Sequence, residues 1–93
     1  MAVEVRIPTV FRKFTGGEPS VELEPGTVSD LINQLEQRYP GMSEQLLTPE
    51  GDLHRFINVY VNDEDARYLE KLDTKVTDGD TVSLLPSVAG GAA

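Results

Sequence analysis

The sequence has no cysteine and no tryptophan, a single histidine, and half as many basic as acidic side chains. Without Cys there are no disulfides, no thiolate zinc sites and no cysteine nucleophile. The balance of 8 Lys+Arg against 16 Asp+Glu gives a formal charge of −8. Nucleic acids and anionic membrane surfaces both select clustered positive charge, so neither is an expected partner. No apolar run approaches the ~20 residues of a membrane span. The opening Met1-Ala2-Val3-Glu4-Val5-Arg6-Ile7 alternates polar with apolar, unlike the h-region of a signal peptide, and a cytoplasmic location is expected. The charge suits a protein that docks on a basic surface; the blander reading is a solvated acidic face.

Catalytic groups are equally sparse. His54, the one histidine, stands beside Arg55, which reads as a surface or hydrogen-bonded residue rather than a base. No Ser or Thr sits in a nucleophile-elbow pattern. Asp63-Glu64-Asp65 is the densest acidic run, but no spaced oxygen-ligand loop follows it, so it reads as a solvated turn or a docking patch. Gly16-Gly17 lacks the spacing and the Lys of a phosphate loop. No catalytic residue and no metal site is expected.

At 93 residues the chain is one small domain, with 39% apolar residues to build a modest core. Val3, Val5 and Ile7 share one face of a first strand, which Pro8 ends. Residues 9–19 connect it to a second strand on which Val21 and Leu23 alternate with Ser20, Glu22 and Glu24, making a hairpin with a wide loop. Pro25-Gly26 turns the chain. Thr27 is an N-cap, with Asp30 three residues on in the manner of a capping box. Val28, Leu31, Ile32 and Leu35 then recur at i, i+3, i+4 and i+7, the spacing of one buried helix face, and Pro40-Gly41 stops the helix after Tyr39.

Residues 42–47 suggest a short second helical turn, and Thr48-Pro49-Glu50-Gly51 a turn. Phe56 to Val61 reads as a central strand, with Ile57, Val59 and Val61 on one face and Phe56, Asn58 and Tyr60 on the other. Residues 64–75 look irregular, anchored by Tyr68, Leu69 and Leu72. Asp78-Gly79-Asp80 is a tight turn before a last strand, Thr81 to Leu85, closed by Pro86. The order β-β-α-β-β predicts an α+β fold: a mixed sheet of four or five strands against one main helix, as in the β-grasp, or ubiquitin-like, architecture. A ferredoxin-like fold would need a second full helix, and residues 62–80 hold too many turn residues to supply one. The expected organisation is a domain over 1–87 and a flexible tail over 88–93.

That tail, Val88-Ala89-Gly90-Gly91-Ala92-Ala93, would ordinarily be a frayed terminus. Its context argues for more. It follows directly from a buried strand and so leaves the domain from a defined place. Val88 and Ala89 are apolar for a simple linker. Gly90-Gly91 has no side chains to obstruct passage through a narrow channel in a partner. This is the arrangement expected when a C-terminus is itself the reactive group.

Leu85-Pro86-Ser87-Val88-Ala89-Gly90-Gly91, after Asp78-Gly79-Asp80-Thr81-Val82, resembles the C-terminal signature of the ubiquitin-like sulfur carriers of the MoaD/ThiS type. Ile7-Pro8-Thr9, Thr15-Gly16-Gly17 and the run from Leu53 to Arg67 are similar to the carriers of an actinobacterial cysteine pathway. The resemblance implies that an E1-like enzyme, using ATP and Mg, adenylates the carboxylate of the last glycine. Sulfide or a persulfide then displaces AMP to leave a thiocarboxylate. A second enzyme accepts the sulfur, either a PLP-dependent cysteine synthase or a thiosugar synthase. The carrier would be a protein cosubstrate with no bound cofactor of its own.

On this reading Gly91 is the sulfur attachment point, and Val88, Ala89 and Gly90 are the tail that partners recognise. One departure from the family matters: Ala92 and Ala93 follow Gly91. They are either trimmed, as in relatives processed by a JAMM-type metalloprotease cutting between Gly91 and Ala92, or a cloning remnant, or a block on activation. Phe56, Tyr60, Leu85 and Pro86 form the candidate docking surface. Phe56 and Tyr60 alternatively pack with Phe11 or Phe14, and Leu85 is expected to face away from Val82 and Leu84 only if the strand bends or bulges near Pro86. Two other functions compete: a ubiquitin-like modifier conjugated through Gly91 to lysines, and a passive interaction module with an inert tail.

Overall fold

The computed structural model describes residues 2–55 and 57–86. Phe56 and the tail from residue 87 onward lie outside the described residues. The strands are β1 (Val3–Arg6), β2 (Ser20–Leu23), β3 (Gly26–Thr27), β4 (Ile57–Val61), β5 (Glu64–Asp65), β6 (Lys75–Val76) and β7 (Thr81–Pro86). The helices are α1 (Val28–Arg38) and α2 (Met42–Leu46). The main sheet has the order β2-β1-β7-β4-β5. The first and last strands lie parallel at its centre, and the other pairs are antiparallel. This is the β-grasp arrangement that the order of elements predicts.

The period-two pattern decides which sheet face is buried. Val3, Val5, Val21, Leu23, Ile57, Val59, Val61, Val82 and Leu84 turn inward and meet Val28, Leu31, Ile32 and Leu35 of α1. The helix starts where the sequence places it. The Thr27 hydroxyl accepts from the Asp30 N–H at 3.1 Å, and the Asp30 carboxylate accepts from the Thr27 N–H at 3.0 Å. Gly26 makes room for this capping box: a Cβ there would sit 2.8 Å from Asp30 Oδ2.

α2 is begun by a carboxylate rather than by its own cap. Glu36, on α1, accepts from the N–H groups of Gly41 and Ser43. These bonds, that from Ser43 first, hold its carboxyl below its ordinary value. Met42 and Leu46 are thereby driven fully into the core.

Residues 64–76 are more regular than expected. They hold two short strands and two 3₁₀ turns, Ala66–Tyr68 and Lys71–Asp73. Strand β6 pairs with β3, and the Thr74 carbonyl accepts from the Val28 N–H, so the segment straps the start of α1. Its anchors also differ from the expectation. Leu72 packs on the core, but Tyr68 is 87% exposed and Leu69 38%, while fully buried Ala66 takes the inward position. The chain is extended only over two residues at a time here, so neither strand nor helix periodicity tells large side chains which way to point.

Candidate functional site

The candidate site is the end of the sheet from which the tail departs. β7 has two neighbours over its first half, where Glu4, Val5 and Arg6 of β1 stand beside Thr81, Val82 and Ser83. At Pro8 the chain turns away. The Ile7 N–H donates to Pro19 O, and the Ile7 carbonyl accepts from Arg12 Nε. Beyond Ser83, β7 therefore runs against β4 alone, with Leu84 beside Val59, Leu85 beside Asn58 and Pro86 beside Ile57.

Register is unbroken up to Pro86, so Leu85 needs no bend or bulge to face outward. Plain alternation sends Leu84 into the core at 3% exposure and Leu85 out at 46%. The expectation that a distortion was needed is corrected.

On the outer face Leu85 and Pro86 line a shallow groove with Arg6, Pro8, Val10, Arg12 and Ser83. Val10 is 55% exposed, in the 3₁₀ turn Thr9–Phe14. On its other side Leu85 shares a depression with Tyr60 and Ser83. The structure thus brings Tyr60, Leu85 and Pro86 together. Phe11 and Phe14 meet each other edge to face, centroids 6.4 Å apart, in the connection between β1 and β2, while Tyr60 lies beside Leu85 and Ser83. Phe56, Val88, Ala89, Gly90, Gly91 and Ala92 lie outside the described residues.

Charge is graded along this face. Glu4 and Glu22 stand opposite one another away from the exit, and the Arg6 Nε lies 3.9 Å from Glu4 Oε2. Toward the exit the charged groups are Arg6 and Arg12, set among Val10, Leu85 and Pro86. An apolar patch with cationic flanks is the kind of surface that a partner covers. Alternation along β1 and β7 already places Arg6 and Ser83 on this face. Val10 and Arg12 carry no such signal, because their position depends on a 3₁₀ turn within a loop.

The turn leading into β7 is tied down separately. Asp80 accepts from the Thr77 N–H, the Asn62 side-chain amide and the Thr77 hydroxyl, which hold its carboxyl below the usual range. Asp78 accepts from the Ala2 N–H at 2.7 Å. Among the described residues no cluster of His, Cys, Asp or Glu could hold a metal ion, and no helix is long and apolar enough to cross a membrane.

Comparison with known proteins gives a consistent result. Residues 5–91 match the ThiS family. The chain is 50% identical over 93 residues to the sulfur carrier protein CysO of Mycobacterium tuberculosis, covering 98% of this chain and all of that one. It superposes with a TM-score of 0.90 on a chain of the crystal structure of the Amycolatopsis orientalis BexX/CysO complex, at 53% identity, covering 97% of this chain and 100% of the other. It is also 33% identical over 94 residues to small archaeal modifier protein 3 of Haloferax volcanii, covering 98% of this chain and all of the relative. With a β-grasp sheet, an outward apolar patch beside the exit of β7 and a family match that runs through Gly91, the chain belongs to the ThiS family of ThiS/MoaD-type ubiquitin-like proteins.

Proposed function

We propose that this protein is a sulfur carrier whose working group is the carboxylate of Gly91, exposed by removal of Ala92 and Ala93. The observation that carries the reading is the family match, which ends at Gly91 and leaves the two alanines outside the matched residues. The fold supports it. Unbroken register through Pro86 launches the tail from a defined place beside the groove of Val10, Leu85 and Pro86. The absence of Cys supports it as well, since sulfur can then ride only on a modified terminus.

The chemistry would run as follows. An E1-like partner binds the outer face and threads Gly90-Gly91 to ATP and Mg. The Gly91 carboxylate oxygen attacks the α-phosphorus, and pyrophosphate leaves. Sulfide then attacks the acyl carbon of the adenylate and AMP leaves, forming the C–S bond of the thiocarboxylate; a persulfide in its place forms an acyl disulfide, which a second thiolate cleaves to the thiocarboxylate and a disulfide. The relatives named CysO point to cysteine synthesis as the destination, with a PLP-dependent cysteine synthase as host of the acceptor. The relative crystallised with BexX allows a thiosugar synthase instead. A JAMM-type metalloprotease would perform the trimming. The carrier itself is a protein cosubstrate, works in the cytoplasm and binds no cofactor.

The test is reconstitution. The chain ending at Gly91, incubated with the activating enzyme, ATP and sulfide, gains 16 Da as one oxygen becomes sulfur, by ordinary atomic masses. Gly91→Val or loss of Gly90-Gly91 prevents that gain while the domain stays folded. Sulfur transfer that survives either change sinks the reading. The similarity to small archaeal modifier protein 3 favours one second reading, conjugation of Gly91 to lysines. It predicts isopeptide-linked adducts that resist thiol reagents.

A further inference from the structure

The Arg67 guanidinium makes three hydrogen bonds to one short stretch of chain. Nη1 donates to Asn58 Oδ1 at 2.7 Å, and Nη2 donates to the carbonyls of His54 and Ile57 at 2.9 and 2.8 Å. All three acceptors belong to the start of β4 or the turn just before it. The backbone that carries the guanidinium is fixed as well: the Arg67 main-chain N–H donates to Asp65 Oδ1 at 2.8 Å, capping the 3₁₀ turn that follows β5.

Among the described residues, the start of β4 is also the one strand segment paired with the last three residues of β7. Ile57 turns both backbone polar groups away from β7. Its N–H donates to His54 O and its carbonyl accepts from Arg67. In an antiparallel ladder hydrogen-bonded pairs alternate, and Asn62, whose N–H donates to Thr81 O, sets the phase. Asn58 and Leu85 are then the final hydrogen-bonded pair before the tail. Arg67 holds the Asn58 side chain of that pair and the carbonyl of the residue before it.

We propose that Arg67 is the positioning residue for the exit of the tail. By pinning Ile57 and Asn58 it holds Leu85 and Pro86 in register, so that the chain leaves the described domain from a fixed point beside the docking groove. The proposal rests on the carrier reading for its role in the reaction, while the anchoring itself does not. A planar fork is needed to reach a side-chain amide and two carbonyls at once, and a lysine ammonium is not its equivalent.

Two measurements test it. The first is amide hydrogen exchange on the full chain. In Arg67→Met, Asn58 and Leu85 lose protection while Val5 and Val82, flanked on both sides, keep theirs. Unchanged exchange at Asn58 and Leu85 overturns the anchoring. The second is thiocarboxylate formation by chains ending at Gly91, a cut that leaves the whole core intact. Arg67→Met lowers kcat/KM for the carrier about tenfold, because the exit of the chain and the docking residues Leu85 and Pro86 lose their fixed register together.

Arg67→Lys retains the charge and shows the same loss. Thr27→Ala, which weakens the domain at the start of α1, retains the wild-type kcat/KM and so separates positioning from stability. A wild-type kcat/KM in Arg67→Met overturns the assignment. Absence of product from wild type ending at Gly91 instead brings down the carrier reading and, with it, the role of Arg67 in the reaction.

Discussion

Thr81–Ser83 and Leu84–Pro86 are consecutive halves of one strand, yet the first is flanked by β1 and β4 and the second by β4 alone. The first half is doubly paired, and Val82 is 2% exposed within it. The second still buries Leu84 but turns Leu85 and Pro86 to solvent beside a groove. The difference comes from Pro8 on the neighbouring strand. It ends β1 two residues after Arg6, and the chain departs into the turn carrying Val10 and Arg12. A small domain thus makes its C-terminal exit both anchored and accessible. One neighbour fixes the strand, and the missing neighbour leaves space for a partner.

Substitutions in the two regions should separate stability from recognition. The largest effect belongs to the core. Leu35→Ala or Val59→Ala, at 1% exposure, lowers the free energy of unfolding by about 2–4 kcal/mol, read by urea denaturation. Unchanged stability in both contradicts the packing of helix on sheet. Leu85→Asp does the converse. It weakens association with the activating enzyme by about tenfold in titration calorimetry, yet shifts stability by less than about 0.5 kcal/mol because the side chain faces outward. Equal binding by this variant would remove the outer face from the docking surface.

Thr27→Ala removes one half of the capping box and lowers stability by about 1 kcal/mol in the same denaturation assay, with binding untouched. The smallest effect is on pH dependence. The carboxyls of Glu36 and Asp80 are held below their ordinary values of 4.5 and 3.8. Their hydrogen bonds therefore contribute stability that is present above those values. It is lost as pH falls through the lower folded values, because the unfolded chain binds protons first. Glu36→Gln flattens that acid limb in thermal melts across pH; a limb identical to wild type would show that Glu36 does not tie α1 to α2.

Much of this architecture is legible in the chain because its elements obey simple periods. Val3, Val5 and Ile7, the α1 set from Val28 to Leu35, and Ile57, Val59 and Val61 are all buried on the faces their spacing predicts. The capping box of Thr27 and Asp30 is present as read. What escaped has no period. Residues 64–76 bend every two or three residues, so Tyr68 and Leu69 gave no sign of facing solvent and Ala66 none of being buried.

The candidate site divides in the same way. Alternation puts Tyr60, Arg6 and Ser83 on the outer face. Arg67 and Val10 act there through contacts between segments distant in sequence, which no local pattern records. The tail is the opposite case. The reading of Val88 to Gly91 rests on composition, context and resemblance alone.

The central claim, that Gly91 carries sulfur, is tested most directly by the intact mass of the protein purified from its native cells under gentle, non-reducing conditions. The account predicts a chain that has lost Ala92 and Ala93 and in which one oxygen is replaced by sulfur. A full-length chain with an ordinary carboxylate, in cells actively making the sulfur-containing product, would contradict it.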